Sequence, residues 1–223
     1  MFQRDYILRM IEQMTEIVAT ISGLKRQHKQ ALAFDMIDDL LGRYFRMNSQ
    51  LLNTLSEKDI LAMLKLGNFI DPERIVSLAR LLKEEADLYE SLHRPEEIYK
   101  RHIKAFQLAL AAAEQDEDPI DLSRDLIEEL SDALKHYRLP REITERLFLY
   151  YEKVGQYSKA EDQLFDVLES APNVTEAERI IGEGIQFYDR LLVKDNDVLE
   201  RGKLPRSELA EGLADLGSRH FKH

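Results

Sequence analysis

Three short patterns in the sequence have the residue types and spacing of known chemical sites. In the first, Glu90 and His93 stand three residues apart, which puts a carboxylate and an imidazole on one helix face, as in di-iron helical bundles. Such a site needs a second copy of the pair and two further carboxylates, and the sequence has no second copy. We therefore interpret His93 as a solvated histidine at the C-terminal end of a helix.

The second pattern, residues 194–197, is typical of the first positions of a calcium-binding loop. With Asp195 as the first position of such a loop, the sixth needs a glycine and the twelfth a carboxylate, but these positions are Glu200 and Arg206. The third pattern, Gly182 and Gly184, lacks the preceding strand and the third glycine of a dinucleotide-binding fingerprint. We reject the calcium loop and attribute the two glycines to close helix packing or a kink in a long helix.

Other polar residues do not form a recognisable site either. His102 falls on the predicted packing face of its helix, where we expect a satisfied, partly buried histidine rather than a metal ligand. Because the chain has 42 Asp and Glu residues, pairs of acids are expected by chance and identify no acid–base dyad. We therefore expect no catalytic residue, metal or cofactor, and keep an enzyme only as a remote alternative.

The composition argues against several classes of partner. A formal net charge of −11 argues against non-specific nucleic-acid binding, which needs clustered Lys and Arg. No apolar run approaches the roughly 18 residues of a transmembrane helix, so we expect no membrane partner. The absence of cysteine removes disulfides and Cys nucleophiles and fits a reducing compartment, so the sequence predicts a cytoplasmic protein.

The elements that carry these residues are predicted to be helices throughout. Apolar residues recur at helical spacing over about the first 20 residues, and a second helix is expected over 27–45. A looser segment, 46–55, leads to a short helix with a capping box at Ser56 and Asp59 that Gly67 closes. No segment between turn signals alternates apolar and polar residues in the way that a β-strand does. The sequence therefore predicts an all-α protein of about ten helices.

The six prolines mark helix boundaries, because proline fits the first turn of a helix or the position after its end but not the interior. Asp71 is a predicted N-cap, and Pro72 starts the helix after it. A further helix is expected over 121–137, behind an acidic loop at 114–118. Helices are also predicted to start at Pro95, Pro119, Pro140 and Pro205, and one to end before Pro172.

Residues 141–174 resemble a tetratricopeptide repeat, a helix–turn–helix unit of about 34 residues. Gly155 occupies the turn, where a positive φ is favourable, and Ala160 lets the second helix approach the first. Phe148 departs from the motif, since the family has a small residue there, and this predicts wider helix packing. The other matching positions are Leu147, Tyr151, Tyr157, Leu164, Val167, Leu168 and Pro172.

Two weaker copies of the unit lie upstream. One covers 86–106 with His93 in place of the glycine, and the other, around Ala33, is equally explained by any amphipathic helix. The resemblance implies one irregular α-solenoid of stacked helix pairs over residues 1–223. Its parts are N-terminal helices, a degenerate repeat, an extra helix, the clearest repeat and C-terminal capping helices, at 1–70, 71–114, 119–138, 141–174 and 175–223.

Residues 5–11, 52–59 and 71–74 are similar to a bacterial helical family that is catalogued only as a domain of unknown function. The similarity covers the first half of the chain best. It implies a bacterial origin and a tetratricopeptide-like fold, and it implies nothing about activity.

Stacked helix pairs form a concave surface, so the tetratricopeptide resemblance implies a non-catalytic protein–protein interaction module or scaffold. The alternative is a sensor for a peptide or small ligand that signals to a partner protein. Three acids and one base among the groove positions favour a basic amphipathic partner, although pairing with neighbouring arginines explains the glutamates equally well. The predicted groove positions are Glu142, Glu145, Leu149, Glu152 and Lys153.

The first helix has an apolar stripe that is wide enough for two contacts. Tyr6, Met10 and Met14 are therefore candidates for a homodimer contact. Burial of both sides of the stripe within one chain is an equal alternative.

Overall fold

The computed structural model of the protein describes residues 2–65, 70–115 and 120–220. These residues form twelve α-helices and no β-strand, which confirms the predicted all-α class. The backbone groups into two compact units, unit 1 over Met1–Arg138 and unit 2 over Leu139–His223. The expectation of a single repeat domain over 1–223 stays a prediction, and each unit is described by itself.

Unit 1 contains the first seven helices. The second helix, α2 (Gln30–Leu40), continues into a π-helical turn, Leu41–Phe45. The helices are α1 (Phe2–Arg26), α2 (Gln30–Leu40), α3 (Ser49–Thr54), α4 (Glu57–Leu64), α5 (Pro72–Glu90), α6 (Pro95–Ala113) and α7 (Ile120–Leu134).

Local side-chain chemistry explains where several of these helices begin. The Ser56 hydroxyl accepts a hydrogen bond from the backbone N–H of Asp59, whose carboxylate accepts from the Ser56 N–H, so the predicted capping box is confirmed. The Asp71 carboxylate caps α5, which begins at Pro72 as predicted. Gly67, the predicted end of α4, lies outside the described residues, and α4 ends at Leu64.

The prediction of a loose segment over 46–55 is wrong. Residues Ser49–Thr54 form α3, because the Asn48 side chain accepts a hydrogen bond from the Leu51 N–H and so starts a helix. The Ser49 N–H also donates to the Asp38 carboxylate at 2.9 Å, which fixes this short helix to α2. A six-residue helix is too short to show an apolar period.

The α5–α6 hairpin forms the centre of unit 1. Helices α1, α2, α4 and α7 all pack on α5, and α4 and α7 also contact α6. His93 adopts a φ of 53° in the α5–α6 turn, in the left-handed region that favours glycine, at the position where the repeat motif has glycine. The core includes Ala33, Ile37, Leu40, Ile60, Ile75, Leu78, Leu82, Ala86, Ala105, Phe106, Leu126 and Leu130.

Unit 2 contains five helices. They are α8 (Arg141–Lys153), α9 (Tyr157–Glu169), α10 (Val174–Leu192), α11 (Asn196–Arg201) and α12 (Arg206–His220). The predicted boundaries at Pro140, Pro172 and Pro205 are confirmed, because each proline lies just outside a helix. Pro119 lies outside the described residues.

The helix–turn–helix predicted over 141–174 is confirmed as α8 and α9. Gly155 forms the turn with a φ of 77°, and the buried Ala160 lies on the second helix. Phe148 is also buried, and its ring lies 5.3 Å from that of Phe187 on α10 in an edge-on contact. The kinship of this hairpin with tetratricopeptide repeats stays a prediction.

The next helix, α10, packs on α9 and α12. A Cβ atom added at Gly184 would lie 2.6 Å from Leu216 and 2.9 Å from Leu164, so a glycine allows the helices to approach closely there. Gly182 has nothing within 4 Å of such an atom. Close packing, one of the two explanations of the glycine pair, therefore holds for Gly184 and does not apply to Gly182.

Candidate partner-binding groove

Unit 2 has a cleft of about 300 Å³ between α8 and α10. Its floor is apolar, because α9 contributes two aliphatic side chains and α10 contributes Ile180. The walls carry charged and polar side chains. The lining residues are Glu145, Phe148, Leu149, Leu164, Val167, Arg179, Ile180, Glu183, Gln186 and Arg190. A concave apolar floor with polar walls is the general form of a recognition site.

Leu149 is the exposed apolar group of this cleft. Its side chain lines the cleft, and the residue keeps 59% of its surface exposed. The helix α8 buries Phe148 and Tyr150 on either side of it in the sequence, so Leu149 is on the face of α8 that the core does not use. It therefore offers apolar surface to whatever enters the cleft.

Ion pairs join the two walls at one end. Arg141 of α8 pairs with Glu145, at 2.9 Å, and with Glu176 of α10. Arg179 of α10 pairs with Glu145 at 2.9 Å, with Glu176 at 2.7 Å and with Glu183 at 2.5 Å. These five residues, which we call the charged cluster, fix the spacing of α8 and α10.

A second ion pair joins the walls at the other end. Arg190 of α10 donates two hydrogen bonds to the Glu152 carboxylate of α8, at 2.6 and 2.8 Å. This two-point geometry is directional and holds the walls in one orientation. The pairs 145–179 and 152–190 show that α8 and α10 run in the same direction along the cleft.

Contacts within the charged cluster shift the pKa values of Glu176 and Arg179. Hydrogen bonds from Arg179 and then Arg141 hold the pKa of the Glu176 carboxyl below its ordinary value. The hydrogen bond to Glu176 in turn raises the pKa of Arg179. Both shifts favour the ionised forms of Glu176 and Arg179, so their contact is an electrostatic clamp between α8 and α10.

The five groove positions predicted from the sequence differ in their surroundings. Glu145 and Leu149 line the cleft, Glu152 anchors one wall through Arg190, and the exposed Glu142 and Lys153 are not among the lining residues. Glu145 pairs with Arg179 and Glu152 pairs with Arg190, so the alternative explanation of these two glutamates is confirmed. Whether this surface binds a partner stays a prediction.

The sequence reasoning missed the α10 wall, namely Arg179, Glu183, Gln186 and Arg190. A signal for it was present. Adding one repeat length of about 34 residues to Glu145, Leu149 and Glu152 reaches Arg179, Glu183 and Gln186. The equivalent face of the next helix could therefore be located in the sequence, but the groove positions were predicted from a single repeat.

A second group of charges lies inside unit 1. Glu85 of α5 and Arg101 of α6 are both nearly inaccessible, at 1% and 2% exposure, and lie 2.8 Å apart. Ser49 donates a hydrogen bond to Glu85, and the Arg101 guanidinium lies 4.3 Å from the centre of the Tyr89 ring. We interpret the group as a packing element that joins α3, α5 and α6, because its charges are buried and contact each other.

Glu90, His93 and His102, which the sequence offered as candidate ligands, lie among described side chains that do not form a metal site. His93 is exposed in its turn, and Glu90 pairs with Lys25 at 3.0 Å. His102 is fully rather than partly buried, and its Nε2 atom lies 3.6 Å from Asp87 without a hydrogen-bond partner among the described residues. The described part of the chain contains no group of three or more His, Cys, Asp or Glu side chains arranged for a metal.

The first helix uses much of its apolar stripe internally. Met10 and Met14 are buried within unit 1, at 1% and 5% exposure, so these two side chains are not available for a dimer contact. The Tyr6 side chain lies outside what the structure describes. The homodimer itself stays a prediction, without these two methionines as its contact residues.

Comparisons with known proteins give one match. Searches of curated proteins and of solved structures gave none. None of the described helices combines the length and the hydropathy that a bilayer crossing needs. The sequence matches the model of a family described as "Family of unknown function (DUF6483)" over residues 1–220, so the similarity extends well beyond the first half of the chain. The chain therefore belongs to this family of unknown function.

Proposed function

We propose that the protein is a non-catalytic protein–protein interaction module and that the cleft between α8 and α10 receives a segment of its partner. The observation that carries this proposal is Leu149, a large apolar residue that is 59% exposed above an apolar floor. A concave apolar surface with a few polar groups around it is the general form of a recognition site. The ion pairs that join the walls prepare the cleft in advance, which lowers the entropic cost of binding.

The arrangement of α8, α9 and α10 supports a repeat-type binding surface. Two helices that run in the same direction are separated by a helix that packs between them, as successive helix pairs are in a tetratricopeptide array. In such arrays the first helices of successive pairs line the binding face. We accordingly extend the tetratricopeptide-like interpretation to α10, and we place this activity in the bacterial cytoplasm.

The proposal is tested by paired capture experiments with the full chain. Leu149→Glu puts a charge on the apolar part of the cleft without disturbing the core, since Leu149 is exposed. Val174→Glu is the matched control, because Val174 is 48% exposed in unit 2 and does not line the cleft. We expect proteins captured by the wild type to be retained by Val174→Glu and lost with Leu149→Glu. Equal retention by both variants would contradict the proposal.

A small-ligand sensor is the second candidate. The cleft volume of about 300 Å³ lies at the lower end of the range of small-molecule sites. A ligand that binds there would raise the melting temperature of the wild type in a concentration-dependent way and leave that of Leu149→Glu unchanged. A thermal-shift screen with a metabolite library separates this function from a scaffold.

A further inference from the structure

The two ion pairs that join the cleft walls lie at the two ends of an open stretch of the cleft, which we call the window. One boundary is the Glu145–Arg179 pair, and the other is the Glu152–Arg190 pair. Seven residues of α8 separate the two glutamates, which is about 10 Å, or two helical turns. The window is therefore long enough for about two turns of a partner helix.

The window presents one apolar group and two polar groups. Leu149 is exposed on the α8 wall, while Glu183 and Gln186 are exposed on the α10 wall. The side chain of Glu183 keeps 48% of its surface accessible. An occupant therefore meets an apolar contact on one side and a carboxylate and an amide on the other.

The charges around the window do not cancel. Arg190 and Glu152 satisfy each other through two hydrogen bonds. In the charged cluster, by contrast, the guanidinium groups of Arg141 and Arg179 face three carboxylates, Glu145, Glu176 and Glu183. Glu145 and Glu176 each contact both arginines, whereas the ion pair of Glu183 among the described residues is with Arg179. The excess negative charge therefore lies at Glu183, beside the window.

We propose that the occupant of this window is an amphipathic helix of a partner protein that inserts an aliphatic side chain beside Leu149 and places one Lys or Arg against Glu183. The proposal rests on the proposed function and specifies the chemistry of the partner. Charge complementarity selects a cation, because an acidic side chain at the same place would add a fourth carboxylate to the cluster. The two turns between the boundary ion pairs set the length of the contact.

The probes for this proposal are two designed helical peptides of about 15 residues. Both carry a leucine stripe, and they differ only at the position one turn from the central leucine, which is Lys in one and Glu in the other. The full-length protein, with labelled Leu, Val and Ile methyl groups, is titrated with each peptide at low salt and observed by NMR. We expect shifts of the Leu149, Val167 and Ile180 methyl signals, with about two- to five-fold tighter binding of the Lys peptide, as one exposed ion pair gives.

Two protein variants assign the preference to one carboxylate. Glu183→Gln is expected to abolish the difference between the peptides, while Glu178→Gln is expected to preserve it, because Glu178 is exposed on the same helix and does not line the cleft. Equal affinity for the two peptides, or a preference that survives Glu183→Gln, would overturn the inference and leave the proposed function standing. Absence of binding by both peptides would also overturn it, and the capture experiment with Leu149→Glu then judges the proposed function independently.

Discussion

The two units use charged side chains in opposite ways. In unit 1, Glu85 and Arg101 are almost completely withdrawn from solvent, and burial raises the pKa of Glu85 above its ordinary value. In unit 2, Arg179 and Arg190 keep 42% and 49% of their side-chain surface accessible while they hold carboxylates across an open cleft. Buried charges make packing specific at a high desolvation cost, whereas exposed pairs contribute little stability and can shape a surface.

The largest expected effect breaks the buried pair of unit 1. Arg101→Met leaves Glu85 buried without its counter-charge, so we expect a loss of about 3–5 kcal/mol in the free energy of unfolding, measured with urea. Arg43→Met, which removes an exposed pair with Asp39, is the control and should cost less than about 0.5 kcal/mol. Glu85→Leu combined with Arg101→Met should recover much of the loss, and a double variant as unstable as the single one would contradict this explanation.

The next effect concerns close packing in unit 2. Gly184→Ala places a methyl group against Leu164 and Leu216, which are buried and cannot move into solvent, so we expect a destabilisation of about 1–3 kcal/mol. Gly182→Ala meets nothing and gains helix propensity, so it should stabilise by up to about 1 kcal/mol. Thermal unfolding of the two variants gives the comparison, and shifts of the same sign would show that Gly184 is not a packing site.

A smaller effect appears in the pH dependence. The pKa of Glu176 is lowered by Arg179 and Arg141, so its contribution to stability is present above the unfolded-state pKa and is lost as the pH falls through the folded-state value. The pKa of Glu85 is raised by burial, so its contribution is present at low pH and is lost as the pH rises through the folded-state value. NMR titration of the side-chain carboxyl carbons should place the two midpoints on opposite sides of 4.5, the ordinary value for glutamate. If Glu176 and Glu85 titrated with the same midpoint, the proposed difference between the two units would be wrong.

The smallest effect is expected at the exposed end of the cleft. Arg190→Gln removes the pair with Glu152, and because Arg190 is about half exposed the cost should be only about 0–1 kcal/mol in urea unfolding. If Arg190→Gln lowered the free energy of unfolding as much as Arg101→Met does, the ion pair between the cleft walls would be a major source of stability, and this comparison of the two units would be wrong.

Sequence reasoning succeeded where local chemistry determines the outcome. The capping box at Ser56, the N-cap at Asp71 and the glycine turn at Gly155 each depend on residues within one helical turn, and all three were predicted. The α3 helix was missed because a capped helix of six residues has no measurable period. The side-chain pairs that build the cleft join residues 34 to 38 positions apart, so they follow only once α8 and α10 are known to run side by side.

The central claim, that the cleft between α8 and α10 receives a partner protein, is tested most directly by site-specific photo-crosslinking in native cells. A photoreactive amino acid at Gln186, exposed in the cleft, should form a covalent adduct with a discrete protein. The same group at Glu178, exposed on the same helix but not among the residues that line the cleft, should not. An adduct at Gln186 that disappears in Leu149→Glu is the predicted result. No adduct at Gln186, or equal adducts at both positions, would contradict the account.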